Sequence, residues 1–262
     1  MDLLKLSQII QKCVRRIYKL FTKRILQKIQ KKKLEASFQN SKGIVSSQIK
    51  IFYSNKHTNI FSELCDQYGS DKGGTRNQNP YPWPSHSYAD FYSRIFERSR
   101  AQITKVFECG IGTNNANIPS NMTTTGIPGA SLRVWKDYFP NAEVFGGDID
   151  SNVLFQDGRI KTYFLDQLDP NSIENFWSNV NTRNFDLIVD DGLHSFESGL
   201  TLFVNSIDYL AENGMYVIED VKISDMLRFK KFFDNSKYTV DYVLLERPKS
   251  ALADNCLIVI KK

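Results

Sequence analysis

From residue 105 to the C-terminus, short apolar runs alternate with amphipathic stretches. No other feature constrains the fold as tightly. Strand-like runs occupy Lys105–Cys109, 143–149, 161–165, Phe185–Asp190 and 215–218, with helical periodicity at about 130–138, 172–180 and 195–212. Repeated strand–helix alternation places parallel strands in one sheet with crossover helices on its faces, so the expectation is a doubly wound, mostly parallel α/β fold. Two further runs, 238–245 and 256–260, follow one another across a polar loop with Pro248. They read as an antiparallel hairpin closing the sheet edge.

The rest of the chain divides by charge. The net charge is +5, but residues 1–35 carry 11 Lys and Arg against Asp2 and Glu35, a net of +9. The other residues are net negative, so the basic character belongs to a tail. Nucleic-acid enzymes surround the working cleft with basic residues; that pattern is absent, and no nucleic-acid partner is expected. In the tail, Leu3, Leu6, Ile10, Val14, Ile17, Phe21 and Ile25 recur every three or four residues, as on an amphipathic helix. Such a helix packs on the body or a second copy of the chain, giving a homo-oligomer, or lies on an anionic membrane surface. Residues 1–58 thus read as a basic helix plus polar linker, 59–104 as an N-terminal cap or lid, and 105–262 as the α/β core. No apolar run approaches the roughly 20 residues of a membrane span. The four cysteines stand alone, without a CxxC pair. That excludes a zinc ribbon and fits a reducing cytoplasm, with the tail at the inner membrane face.

Chemistry gathers at the strand ends. The first core strand ends Glu108-Cys109-Gly110-Ile111-Gly112, small residues that let a ligand approach the backbone. Asn115 stands where a dinucleotide fingerprint needs a third glycine, which counts against NAD. Asp148, ending the second strand, is placed to accept ribose hydroxyls, and Asp166-Gln167 to meet an adenine edge. Asp190-Asp191-Gly192-Leu193-His194 and Glu219-Asp220 end neighbouring strands. Carboxylates converging in one crevice repel unless a cation joins them. Oxygen ligation selects a hard ion, Mg²⁺ or Mn²⁺. His194 suits a general base near neutral pH or, on the plainer reading, a helix start. Asp71, Lys72, His86 and Tyr88 are lid candidates, with loop packing as the alternative. Cys109 and the three tryptophans read as packing residues.

These segments together resemble the metal-dependent sugar O-methyltransferases of the mycinamicin and macrocin type. The resemblance covers roughly residues 64–222. It also takes in Tyr68-Gly69-Ser70-Asp71-Lys72-Gly73, His86-Ser87-Tyr88 with Tyr92, and Pro128-Gly129-Ala130-Ser131-Leu132-Arg133-Val134-Trp135. It implies a class I methyltransferase fold using S-adenosylmethionine and Mg²⁺, and a sugar or glycan-precursor acceptor. Cofactor contacts would come from Glu108, Gly110, Gly112, Ser131, Asp148, Asp166, Gln167 and Asp190. Asp191, Glu219 and Asp220 would be metal ligands and His194 the base. The rival readings are a Rossmann-type NAD-dependent oxidoreductase and a non-catalytic membrane-tethered scaffold. The second has no need of Asp191, His194 and Asp220 together.

Overall fold

A computed structural model of the chain describes Lys32 and residues 48–52, 58–73, 80–246, 252 and 254–262. Among the described residues, nine strands form one sheet: β1 (Gln48–Phe52), β2 (Lys105–Cys109), β3 (Glu143–Asp148), β4 (Gln156–Asp157), β5 (Ile160–Phe164), β6 (Phe185–Asp190), β7 (Leu210–Ile218), β8 (Thr239–Glu246) and β9 (Cys256–Lys261). Their order is β1-β8-β9-β7-β6-β2-β3-β5-β4. The central strands β5, β3, β2, β6 and β7 are all parallel, whereas β9 lies antiparallel between β7 and β8. The strand order reverses between β2 and β6. A crevice therefore opens at the carboxyl ends of those two strands, where open α/β sheets take ligands.

Six helices are described: α1 (Ile60–Tyr68), α2 (Tyr88–Phe96), α3 (Ala130–Tyr138), α4 (Pro170–Val180), α5 (Phe196–Ser206) and α6 (Ile223–Phe233). Their ends follow local chemistry. Asn59 caps α1 through a reciprocal bond with Ser62, and Gly69 stops it in the left-handed region, at φ 77°. Asp169 caps α4 ahead of Pro170, and Ser195 caps α5 with Ser198.

Strand pleating sends alternate residues of β2 to opposite faces. Phe107 packs on Phe176 and Trp177 of α4, with ring centroids 4.6 and 5.0 Å away. Val106 joins the other core, where Phe61 of α1 meets Tyr92 of α2 and Trp135 and Tyr138 of α3. Glu108 faces this same side, and its Oε2 accepts a 2.7 Å hydrogen bond from the indole N–H of buried Trp135. Helices α1 and α2 thus contribute a wall of this core.

The expected alternation is present, including identical bounds for β2 and β6, and so is the antiparallel C-terminal pair. Several details differ. The hairpin does not close the sheet, because β1 pairs in parallel with β8 outside it. That strand lies inside the segment read as a polar linker; Ile49 and Ile51 alternate with Lys50, a short period-two pattern that the surrounding serines obscure. The helix expected over 195–212 ends at Ser206, followed by a 3-10 turn, and β7 starts at Leu210, opposite Phe185. Helix α6 and the two-residue strand β4 were not foreseen. The helix expected within residues 1–35 lies outside the described residues except for Lys32, which is helical.

Because Phe61 touches three aromatic rings and is fully buried, Phe61→Ala should destabilise the protein by about 3–5 kcal/mol. Denaturant unfolding measures this. A cost below about 1 kcal/mol would mean the cap is loosely attached.

Candidate active site

The crevice between β2 and β6 is shaped by backbone. Gly110 has φ +83°, and a Cβ there would lie 2.2 Å from the carbonyl oxygen of Asp191, so a side chain is excluded. The loop after β2 is fastened to β3 by Asp148. Its Oδ2 accepts from the N–H groups of Ile111 (2.9 Å) and Gly112 (3.2 Å), and its Oδ1 accepts from Asp150 N–H (2.9 Å). Burial raises the Asp148 pKa, against these donors. Gln167 ties the neighbouring loop: its Nε2 donates to Asp190 Oδ1 (2.5 Å) and its Oε1 accepts from Leu193 N–H (2.9 Å).

These loops enclose a pocket of about 230 Å³ lined by Gly110, Gly112, Asp148, Asp166, Gln167 and Asp191, among others. Ile149 and Leu168 also line it and are 47% and 50% exposed. Five of the eight expected cofactor residues thus lie on one pocket. Glu108, Ser131 and Asp190 do not line it. Glu108 and Asp190 are buried behind it, and burial pushes the Asp190 carboxyl up to about 7.

Next to this pocket lies a charged cluster. Strands β6 and β7 are in register, Asp190 opposite Ile218, so Asp191 and Glu219-Asp220 emerge side by side. Lys72, from the turn after α1, reaches into the middle. Its Nζ is 2.9 Å from Glu108 Oε1 and 2.6 Å from Asp191 Oδ2, and it also pairs with Glu219 Oε2. Burial disfavours the ammonium, but the three acids raise its pKa well above the ordinary lysine value and keep it charged. Tyr92 donates to Glu219 Oε1 at 2.5 Å. Tyr88 donates to Asp220 Oδ1 at 2.6 Å and accepts from Asp220 N–H at 3.0 Å. That double contact holds Asp220 at φ 52°, a left-handed conformation rare without glycine.

Among the described residues, one set has metal-ligand geometry: ligand atoms of Asp191, His194 and Asp220 all lie within 4.8 Å of one another. His194 Nε2 is 3.7 Å from Asp220 Oδ2, while its buried Nδ1 has no hydrogen-bond partner. Burial lowers the His194 pKa, with Asp220 opposing, so the ring is neutral near pH 7. His86 stacks on Tyr88 at 4.8 Å and lies 3.3 Å from Asp220 Oδ1. Burial works against its charge, yet Asp220, Asp254 and Asp71 raise it to about 9. For Asp220, burial raises the pKa, but His86 and His194 outweigh it and hold the carboxyl below its usual value.

The donor set fits a hard divalent cation. Three carboxylates, Glu108, Asp191 and Glu219, pair with the Lys72 ammonium and a fourth, Asp220, lies beside His86, so acids outnumber cations where Asp191, His194 and Asp220 converge. Glu219 is not part of the convergent set. Both its oxygens are engaged by Lys72 and Tyr92, and burial pushes its carboxyl up to about 7. The lid candidates Lys72, His86 and Tyr88 instead form the inner wall of the cluster. Tyr92 was not singled out for this role; its spacing of four from Tyr88, on one helix face, was the available signal.

No family model matches the chain. A 2'-O-methyltransferase acting on 8-demethyl-8-alpha-L-rhamnosyl tetracenomycin-C, from Streptomyces olivaceus, is 29% identical over 176 residues, 67% of this chain and 41% of its own length. L-olivosyl-oleandolide 3-O-methyltransferase of Streptomyces antibioticus is 33% identical over 159 residues, 60% of this chain and 36% of its own. Demethylmacrocin O-methyltransferase of Streptomyces fradiae is 29% identical over 160 residues, 61% of this chain and 36% of its own.

These three relatives of the chain are O-methyltransferases.

The chain spans about two fifths or less of the length of these sugar O-methyltransferases. MycE methyltransferase of the mycinamycin pathway, in complex with Mg and SAH, superimposes with a TM-score of 0.53 at 22% identity over 79% of this chain and 54% of its own. The fold is therefore the class I methyltransferase fold, as the resemblance implied.

Gly110→Ala should close the pocket by driving the loop against the Asp191 carbonyl. We expect a stability loss of roughly 2 kcal/mol or more, since a Cβ meets backbone and φ is positive. A thermal melt measures it, and an unchanged midpoint would refute the tight contact.

Proposed function

We propose that the chain is an S-adenosylmethionine-dependent O-methyltransferase that uses Mg²⁺ or Mn²⁺ and acts on a sugar hydroxyl of a glycan, a glycan precursor or another sugar-bearing molecule. The observation that carries this reading is that Asp191 belongs both to the pocket and to the convergent set with His194 and Asp220. Donor and acceptor sites therefore meet at one residue. The relatives' names, each a transfer of methyl to a sugar-bearing product, support the reaction class.

The parts divide the work as follows. Gly110 and Gly112 let a nucleoside approach the backbone, and Ile149 and Leu168 offer apolar contact to a base. S-adenosylmethionine held there would supply a methyl on its sulfonium, the sulfur leaving as the neutral thioether. Asp191 and Asp220 would hold a divalent cation, whose charge would favour a deprotonated hydroxyl. His194, neutral and beside both acids, accepts the hydroxyl proton. Tyr88 and Lys72 keep the acids fixed, so that acceptor and donor stay aligned. An NAD-dependent oxidoreductase would need a different loop after β2. A thermal-shift comparison of S-adenosylhomocysteine, NAD and divalent ions separates the two, because a ligand of the folded state raises the melting temperature.

The net +9 of residues 1–35 supports cytoplasmic placement with peripheral contact at an anionic membrane face. These residues lie outside the described ones apart from Lys32. No described helix is long and apolar enough to cross a membrane.

Chelation with EDTA should abolish turnover, and Mg²⁺ should restore it. Asp191→Asn and Asp220→Asn should each remove activity in a folded protein. His194→Ala should lower turnover roughly 10²–10⁴-fold, the range for a lost general base. Because burial depresses the His194 pKa, its proton-accepting form persists below the ordinary imidazole value of about 6.5. The acid limb of the kcat/KM profile should accordingly lie below that pH and vanish in His194→Ala. A retained limb would assign it to another group. For the tail, the full chain should sediment with anionic vesicles at low salt more than a chain lacking residues 1–43, and the difference should shrink at high salt. Equal sedimentation would reject membrane contact.

A further inference from the structure

Lys72 is the least expected member of the cluster. Its side chain is 2% exposed, yet it comes from a turn-rich loop. Burying an ammonium costs several kcal/mol unless it is paired and hydrogen-bonded, and here it has three carboxylates instead of the one that neutrality requires. The distribution of oxygens explains why. Glu219 has one oxygen on Lys72 and the other on Tyr92. Asp191 has Oδ2 on Lys72, and its Oδ1 makes no hydrogen bond among the described residues. Asp220, outside the reach of Lys72, belongs with Asp191 and His194 to the convergent set. A single ammonium thus sorts two of the three adjacent acids: Glu219 is withheld and Asp191 keeps Oδ1, while Asp220, with Oδ1 on Tyr88, keeps Oδ2 on the His194 side.

We propose that Lys72 is a positioning residue, a built-in counter-ion that withholds Glu219 from the cation and presents Asp191 through Oδ1. This rests on the metal reading above. In the absence of the ammonium, Glu108, Asp191 and Glu219 lose the cation they share and keep only the neutral donors Trp135 and Tyr92, on Glu108 and Glu219. The divalent cation then takes that place, with Glu219 joining as a ligand. Lys72 therefore weakens cation binding while fixing its geometry.

The test is Mn²⁺ binding to the full chain at pH 8, followed by electron paramagnetic resonance of free Mn²⁺. Wild type is compared with Glu219→Gln, Lys72→Met and the double variant. Glu219→Gln should bind within about three-fold of wild type, because in the presence of Lys72 it is not a ligand. Lys72→Met should bind at least roughly ten-fold more tightly, because Glu219 is no longer held by the ammonium and its charge turns to the cation. The double variant should lose that gain and return to within about three-fold of wild type, a coupling that a packing role would not create. Should Lys72→Met unfold when metal-free, the same gain appears as a larger Mn²⁺-induced rise in melting temperature than wild type shows. The proposal is overturned if Glu219→Gln alone weakens Mn²⁺ binding roughly ten-fold or more, or if Lys72→Met binds no more tightly than wild type. If wild type itself binds no Mn²⁺, the metal reading falls and this proposal with it.

Discussion

The site depends on one buried ammonium. Lys72 lies between the ends of β2, β6 and β7 and pairs with an acid from each: Glu108, Asp191 and Glu219. Three adjacent parallel strands ending in carboxylates would otherwise repel at the place where the sheet must stay closed. Because the ammonium comes from the turn after α1, the interaction also ties the N-terminal wall to the centre of the sheet. A single contact thereby links fold stability, the arrangement of acids and the charge left for a cation.

The wall carrying Lys72 is held by aromatic packing. Phe61, Tyr92, Trp135 and Tyr138 interlock between α1, α2 and α3, and two of them have polar ends aimed at the acids. Tyr92 spends its hydroxyl on Glu219 and Trp135 its N–H on Glu108. Such side chains place apolar mass in the core and a donor at its border. Tyr88, one turn before Tyr92, extends the same row to Asp220. Rigid rings thus set the positions of flexible carboxylates.

On the opposite side of Asp191 the control passes to backbone. Asp148 and Gln167 spend their hydrogen-bonding atoms on loop N–H groups and on Asp190. Two residues whose chemistry suggested ligand contact therefore also shape the pocket. Ligand contact for them would add to these bonds or replace some of them.

The sequence by itself determined the sheet and its strand ends. Alternation of apolar runs and amphipathic helices is a local, periodic signal, so β2, β6, α3 and the acids at Asp191 and Asp220 were legible. Composition likewise separated the basic tail from the body. The strand at Gln48–Phe52, the end of α5 and the position of β9 were not legible, because each is decided by pairing with distant strands. The same holds for the site. Adjacent residues such as Glu219 and Asp220 look alike in sequence, yet one faces Lys72 and Tyr92 and the other faces His194 and Tyr88. Which acid stays open is an electrostatic outcome of residues 119 and 147 positions apart being brought to one point, and only the packed tertiary structure, by excluding water there, makes that pairing decisive.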